Sequence, residues 1–249
     1  MHNDLTLTAA AAVIASGAVG CGASWVASMM PRNNGSFSTR ATMRSIMATD
    51  STYPVSVEGE LDPALSRWLW LVKLLLIIPH LIALAFLGVV SLVLTVIAFF
   101  AILFTGRYPR GLFEFNVGVL RWNWRVGYYS YQALGTDKYP PFSLAKNDDY
   151  PADLDVAYPE QLSKGLVLVK WLLGIPHYIV VGVLQGGLSK NSSGLLVILV
   201  LFAAVVNLFT GKYHKGIWKL VIGINRWSYR VAGYAVLVTD EYPPFRLGE

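Results

Sequence analysis

The sequence has little charge and almost no cysteine. Only 14% of its 249 residues are charged, while 55% are hydrophobic, and the mean hydropathy is +0.50. This balance is too apolar for an ordinary soluble domain and is typical of a protein with several membrane-buried helices. The one cysteine excludes a disulfide within the chain and any metal cage built from cysteines.

Carboxylates are missing from the two most apolar regions. Neither Asp nor Glu occurs between Pro63 and Phe113, or between Gln161 and Thr239. Carboxylate-based proton transport, two-carboxylate hydrolysis and carboxylate metal sites therefore lack their usual groups. The sequence also has no nucleophile elbow, zinc-protease helix motif, phosphate-binding loop or dinucleotide fingerprint. We therefore expect a protein that is not an enzyme and holds no metal.

The formal net charge is +5, and the basic residues stand beside apolar runs and not in a solvated block. This placement favours anionic lipid headgroups over nucleic acid as the acidic partner.

Residues 1–46 differ from the rest of the chain. The stretch is Ala/Gly-rich and then Ser/Arg/Asn-rich, and it lacks the basic start of a signal peptide. We interpret it as an N-terminal extension that is disordered or results from a mis-assigned start, with translation beginning at Met47.

The remainder of the chain is one unit written twice, at residues 53–145 and 150–247. The copies are related by an offset of 97 (177 − 80) near their beginning and 105 (226 − 121) further on. Four phrases carry the repeat: Ile-Pro-His at 78–80 and 175–177, Phe-Thr-Gly-(Arg/Lys)-Tyr at 104–108 and 209–213, Arg-Trp-x-x-Arg-Val at 121–126 and 226–231, and Tyr-Pro-Pro-Phe at 139–142 and 242–245.

The apolar run of each unit is long. From Trp68 to Phe104 it is nearly twice what a bilayer core of about 30 Å requires at a ~1.5 Å rise per residue. The second unit carries extra residues, 185–193, which align opposite Gly88 of the first. This alignment predicts two transmembrane hairpins, formed by residues 65–87 with 89–105 and by 162–184 with 194–210.

Charge predicts how these hairpins are oriented. Basic residues flank their ends, whereas the tips offer only Lys190, so the positive-inside rule places the ends in the cytoplasm. The flanking residues are Arg67, Arg107, Arg110, Lys164, Lys212 and Lys215. We therefore expect a multi-pass protein of the inner (plasma) membrane, with parallel repeats and both termini in the cytoplasm.

A third element follows each hairpin, at about 110–134 and 215–238. On a helix its basic residues form one stripe beside Trp and Tyr, as in interfacial helices. The stripes comprise Arg121, Arg125, Lys219, Arg226 and Arg230, which we predict contact anionic headgroups. A third membrane span, with arginines facing a partner or a water-filled groove, is the alternative. The predicted fold is an all-α membrane protein of two tandem parallel repeats, each a hairpin plus an amphipathic interfacial helix.

Taken together, the four repeated phrases resemble a bacterial membrane-protein family known only as a domain of unknown function, number 4389. The resemblance covers both repeats and leaves residues 1–46 outside. It implies a fold and a membrane location, and it brings no activity or catalytic residues.

His80 and His177 are the sharpest candidates for an intramembrane site. Two neutral imidazoles on facing helices at equal depth would suit axial ligation of a haem iron, or would hold a cation together with other ligands. The structural alternative is that each histidine satisfies the backbone carbonyl freed by the preceding proline, or a partner helix.

Other polar residues within the apolar runs also have two interpretations. Lys73 and Lys170 lie seven residues before the histidines, where a lysine either reaches toward the interface or binds a substrate or lipid phosphate. Asn207 replaces Ile102 of the first unit and is typical of helix–helix contacts.

The leading hypothesis is a structural or interaction protein that contacts anionic lipid and assembles with itself or with a larger membrane complex. Two alternatives remain: a transporter with a site between the repeats, and a b-type haem electron carrier.

Overall fold

A computed structural model describes residues 53–186 and 194–248. The predicted extension, residues 1–46, and Lys190 of the predicted tip lie outside the described residues. In chain order the elements are β1 (Val55–Gly59), α1 (Leu69–Leu76), α2 (Ile78–Thr105), α3 (Arg110–Tyr129), β2 (Ala152–Val156), α4 (Leu166–Leu173), α5 (Ile175–Gln185), α6 (Leu195–Thr210) and α7 (Lys215–Ala235).

The two strands form a small antiparallel sheet, so the all-α prediction is corrected. Val55 and Val57 alternate with half-buried polar residues, a pattern suited to a strand with one buried face. Val57 pairs with Leu154, its counterpart in the other repeat at offset 97 (154 − 57). A pseudo-two-fold axis perpendicular to the sheet therefore passes between these residues.

The same axis continues between α3 and α7. Trp124 and Tyr229 are counterparts at offset 105 (229 − 124), and their rings meet edge to face with centroids 5.3 Å apart. The repeats are thus related by a rotation about a line that runs from the sheet into the helices.

Three layers stack along this axis. The sheet packs on α3 and α7, which in turn pack on α2 and on α5 with α6. The middle helices are mostly buried: 14 of the 20 residues of α3 have little exposed surface. A helix lying in a headgroup region would expose one whole face, so the prediction of interfacial helices is wrong for these segments.

The outer layer does not contain the predicted hairpins. In the first repeat α2 runs unbroken through Gly88. It lies antiparallel to α3, with His80 beside Trp122 and Ser91 beside Asn116. No polar turn accompanies Gly88, and one glycine inside a helix costs only about 1 kcal/mol, which the apolar run tolerates.

In the second repeat the same helix is interrupted. α5 ends at Gln185, and Gly194, which precedes α6, lies directly against Gln185 and Gly186. Both α5 and α6 pack against α7. They lie one after the other along α7, in the way that α2 lies along α3. The described residues on either side of the break therefore belong to one divided long helix and do not form a hairpin.

The outer layer exposes apolar side chains along its outward face. We call α1, α2, α4, α5 and α6 together the apolar layer. Two of its helical stretches, Ile78–Thr105 and Leu166–Gln185, are long and apolar enough to cross a membrane. Only 22% and 33% of their most apolar windows are buried, so most of each window lies at the surface of the fold.

Candidate functional site

The Phe-Thr-Gly-x-Tyr phrase ends a helix in each repeat. The Thr105 hydroxyl donates to the carbonyl of Ala101 at 2.7 Å, and Gly106 takes the left-handed conformation with φ of 72°. Gly211 does the same with φ of 69°. This is the left-handed helix cap for which glycine is the favoured residue.

The tyrosine of this phrase joins the two repeats. The Tyr108 hydroxyl donates to the carbonyl of Val236 at 3.2 Å, and the Tyr213 hydroxyl donates to the carbonyl of Ala133 at 3.1 Å. The acceptors are themselves counterparts at offset 103 (236 − 133), so each unit inserts its tyrosine into the other.

Lys73 and Lys170 are buried, with 1% and 0% of their surface exposed. Lys73 Nζ donates to the carbonyl of Thr136 at 2.7 Å and pairs with Asp137 at 2.9 Å. Lys170 contacts Thr239 at 2.7 Å and Asp240 at 2.6 Å. These ammonium groups bind the protein itself, which leaves neither to reach toward solvent.

Sequence reasoning missed the two aspartates. Asp137 Oδ2 also accepts the backbone N–H of Ser66, and Asp240 Oδ2 that of Ser163 at 2.6 Å. Each carboxylate therefore ties the closing phrase of its repeat to the first helix. The available signal was the Thr-Asp that precedes Tyr-Pro-Pro-Phe in both copies.

Each histidine lies in an aromatic box within its own repeat. Trp122 Nε1 donates to His80 Nδ1 at 3.1 Å, and the imidazole stacks on Phe142 with centroids 3.8 Å apart. Trp227 and Phe245 hold His177 in the same way, at 3.1 Å and 4.0 Å. The Arg-Trp and Tyr-Pro-Pro-Phe phrases thus meet at the Pro-His phrase.

The hydrogen bond from tryptophan determines the tautomer of each imidazole. An indole N–H only donates, so Nδ1 carries the lone pair and Nε2 carries the proton. Metal ligation through Nε2 would need a different protonation state. Each histidine lies in the aromatic box of its own repeat, and neither contacts the box of the other repeat. Haem ligation remains a prediction that a visible spectrum tests.

The basic stripe lies largely inside the protein. Arg125, whose side chain is 0% exposed, donates to the carbonyl of Ala145 at 2.8 Å and to Asp153 at 3.3 Å. Burial lowers the pKa of Arg125, and the charge of Asp153 opposes that shift. Arg230, also buried, donates to the carbonyl of Gly248 at 2.9 Å.

The outer pair of arginines binds the strands. Arg121 Nε donates to the carbonyl of Leu154 at 2.7 Å, and Arg226 Nε donates to the carbonyl of Val57 at 3.0 Å. These acceptors are the residues that flank the two-fold axis. The headgroup prediction is corrected for Arg125 and Arg230, which are buried. For Arg121 and Arg226, which are half-buried, it stays a prediction. Lys219 alone of the predicted set is exposed.

Asn207 lies where the repeats meet, 5% exposed. Its side-chain amide donates to the carbonyl of Ser66 at 3.5 Å, in the segment before α1. A contact between helices at Asn207 therefore stays a prediction.

A buried polar network distinguishes the first repeat. The Ser91 hydroxyl donates to Asn116 Oδ1 at 2.6 Å, and the Asn116 amide donates to the Tyr108 hydroxyl at 2.7 Å and to Thr95 at 3.2 Å. At offset 105 the second repeat has Leu196, Val200 and Val221 in place of Ser91, Thr95 and Asn116.

A small cavity lies near the axis, between α3 and α7. Its lining includes Asn123, Gln132, Ser228 and Tyr229, and the Tyr229 hydroxyl donates to Asn123 Oδ1 at 2.7 Å. Its volume suits about one water molecule. Neither histidine lines it, so the cavity and the predicted transport site are different places.

Exposed basic residues gather at the two ends of the apolar layer. At one end Lys164 Nζ donates to the carbonyl of Phe104 at 2.7 Å, and at the other the Arg67 guanidinium lies against Gly211. We call these groups the basic rims; they comprise Arg107, Arg110 and Lys164 at one end, and Arg67, Lys212 and Lys215 at the other.

A family model described as "domain of unknown function (DUF4389)" matches residues 67–143 and 166–246. The two matches contain the lysine–aspartate pairs and the histidine boxes of their respective repeats. The strand carbonyls that Arg121 and Arg226 bind lie outside the matched residues. No curated protein and no solved structure matches the chain.

Proposed function

We propose that this chain, which belongs to the DUF4389 family through both of its repeats, is a non-enzymatic structural or interaction protein embedded in a membrane. The proposal includes the bacterial inner membrane as its location, and self-association or a larger membrane complex as its context.

The observation that carries this proposal is the contrast between the two outer layers. Large apolar side chains of α2 stand more than half exposed on one outward face. They are Ile82 67%, Phe86 70%, Val89 63%, Val93 54%, Phe100 51% and Phe104 73%. Monomeric soluble proteins rarely expose so continuous an apolar surface. The opposite layer presents the sheet and the segment before β2, with exposed charged residues such as Asp155 and Lys146.

A structural role is supported by what the repeated polar residues bind. Lys73 pairs with Asp137, His80 with Trp122, and Arg125 with Asp153. Residues that act on a substrate usually leave reactive atoms directed at a cleft. Here the polar phrases that recur in both copies hold elements of the fold to one another.

Anionic lipid remains the partner we favour, through a different set of residues. The basic rims border the apolar layer on two sides and are exposed, so they are suited to meet phosphate groups where hydrocarbon gives way to headgroup. The multi-pass arrangement with both termini in the cytoplasm depended on hairpins that the described residues do not contain, and we leave it out of the proposal.

Flotation with lipid vesicles tests this function. We expect purified protein to remain with vesicles containing about a third phosphatidylglycerol through a density gradient, and to bind neutral vesicles more weakly. Raising the salt concentration should weaken binding to the anionic vesicles, because salt screens the attraction between the basic rims and the phosphates. Ile82→Glu with Phe86→Glu should weaken binding strongly, because both carboxylates would enter hydrocarbon. Ser56→Glu on the sheet is the matched control and should bind normally. Wild-type protein that stays soluble without detergent and does not float with vesicles would refute the proposal.

A further inference from the structure

We propose that the apolar layer lies parallel to the membrane surface within one leaflet, so that its long helices do not cross the bilayer. This inference rests on the proposed membrane location and specifies how the chain meets the lipid.

The length of the exposed apolar surface is the first argument. It extends from Trp68, 66% exposed, to Phe104, 73% exposed. At ~1.5 Å per residue α2 alone is about 42 Å long, against a hydrocarbon core of about 30 Å. A helix standing upright in that core would push exposed apolar residues out of it at one end or both.

The two-fold axis is the second argument. The axis runs perpendicular to the sheet and relates α2 to the α5–α6 pair, which lie in a layer stacked on that axis. If these helices stood upright in the bilayer, the axis would therefore lie in the membrane plane. The sheet would then sit at mid-bilayer height, where the side chains of Lys146 and Asp155, 53% and 50% exposed, would face lipid. Charged side chains at that depth face protein or water-filled cavities and not hydrocarbon.

An axis along the membrane normal removes this conflict. The apolar layer then enters one leaflet, while the sheet lies furthest from the membrane, in water. Because the axis exchanges the two basic rims, both stand at the same height, level with the headgroups. The positive-inside rule predicts that the basic ends lie on one side of the membrane. This orientation places them there although no helix crosses the bilayer.

The side-chain pattern of α2 agrees with this orientation. Its exposed residues recur every three or four positions, as at Ile82, Phe86 and Val89, and therefore form one face. Ser91 and Thr95 are buried on the opposite face, toward α3. Helices of this kind sink about 5–10 Å into the boundary between headgroups and acyl chains.

Depth measurements with spin labels test the orientation in the full chain. With Cys21→Ser as background, single labels replace Ile82, Val93 and Phe104, which are eleven residues apart on the exposed face of α2. In vesicles, accessibility to oxygen and to a nickel chelate reports the depth of each label. Parallel helices predict equal depths for all three, whereas a crossing helix separates the outer two by about 33 Å.

The second repeat supplies the matched set. Ile179, Ile198 and Phe209 are the counterparts, at offsets 97 and 105, and each is more than half exposed. We expect the same three depths there, and full exposure to the nickel chelate for a label replacing Asp155. A depth gradient along α2, or an Asp155 label shielded from the chelate, would overturn the inference while leaving membrane binding intact. Loss of vesicle binding by the unlabelled protein would instead remove the proposed function on which the inference rests.

Discussion

The two repeats share their polar contacts and differ in the continuity of their long helix. Each copy pairs a buried lysine with aspartate, boxes a histidine with tryptophan and phenylalanine, and sends an arginine to the strand that begins the other copy. The first copy keeps α2 whole, whereas the second divides it into α5 and α6.

This difference separates what maintains the fold from what is free to vary. The shared contacts join elements that are distant in the chain. They occur in both copies although the second copy has eight more residues within its long helical region (105 − 97). The polar network of Asn116 occurs in one copy only. We infer that the lysine, histidine and arginine contacts are the common scaffold, and that the interior of the long helix can change.

Separating the copies should have the largest effect. Residues 148–249 alone lack β1, and Leu154, which faces its counterpart Val57 in the full chain, can then face only Leu154 of a second copy. We expect a homodimer that loses its helical signal on dilution, measured by sedimentation and circular dichroism in mild detergent. A monomer whose ellipticity does not depend on concentration would show that one copy is sufficient.

Breaking the lysine–aspartate pairs should give the second-largest loss of stability. Asp137→Asn leaves Lys73 buried without its partner charge, and Asp240→Asn does the same to Lys170. Removing one partner of a buried ion pair destabilises a protein by about 3–5 kcal/mol, and we expect similar losses in both copies, measured by denaturant unfolding. Lys146→Ala, which removes an exposed pair with Asp155, is the control and should cost less than about 1 kcal/mol. Strongly unequal losses would contradict a common scaffold.

The asparagine network offers a smaller and reversible test. Asn116→Val alone should cost about 1–3 kcal/mol, because it leaves the Ser91 hydroxyl buried without its acceptor. Ser91→Leu, Thr95→Val and Asn116→Val together reproduce the second copy and should recover most of that loss. Thermal unfolding of the two variants checks the order, and a triple variant less stable than the single one would mean that the copies are not interchangeable here.

The helix caps should show the smallest effect. Gly106→Ala and Gly211→Ala force an L-residue into a left-handed conformation, which costs about 1–2 kcal/mol each. Gly111→Ala is the matched control, since a Cβ there meets nothing within 4 Å and alanine favours the helix. Equal stability of all three variants would remove the role assigned to the caps.

The repeats could be recognised from the sequence because their phrases hold contacts that require particular side chains. Thr105 and Gly106 predict the end of a helix because the contacts that end it involve only neighbouring residues. Long-range partners could not be predicted in this way. Periodicity placed Arg121 and Arg125 on one stripe, but it did not show that carbonyls of β2 and of the loop before it face that stripe.

The hairpins were predicted wrongly for a related reason. Dividing an apolar run by the thickness of a bilayer assumes that its helices stand upright, and Gly88 was then the only available break. The proposed orientation rests on Asp155 of β2 and on Lys146 in the segment before β2, and both lie far along the chain from α2. Each strand has only five residues, too short for its alternation to stand out beside the apolar runs.

The exchange of contacts between copies also constrains how the chain is made. Arg226 binds the carbonyl of Val57, 169 residues earlier, and the Tyr53 hydroxyl donates to the carbonyl of Glu241, 188 residues away. Such distant pairings form late. During synthesis the apolar helices of the first copy leave the ribosome while β1 still lacks its partners, so the fold cannot close until Arg226 and Glu241 have also been made.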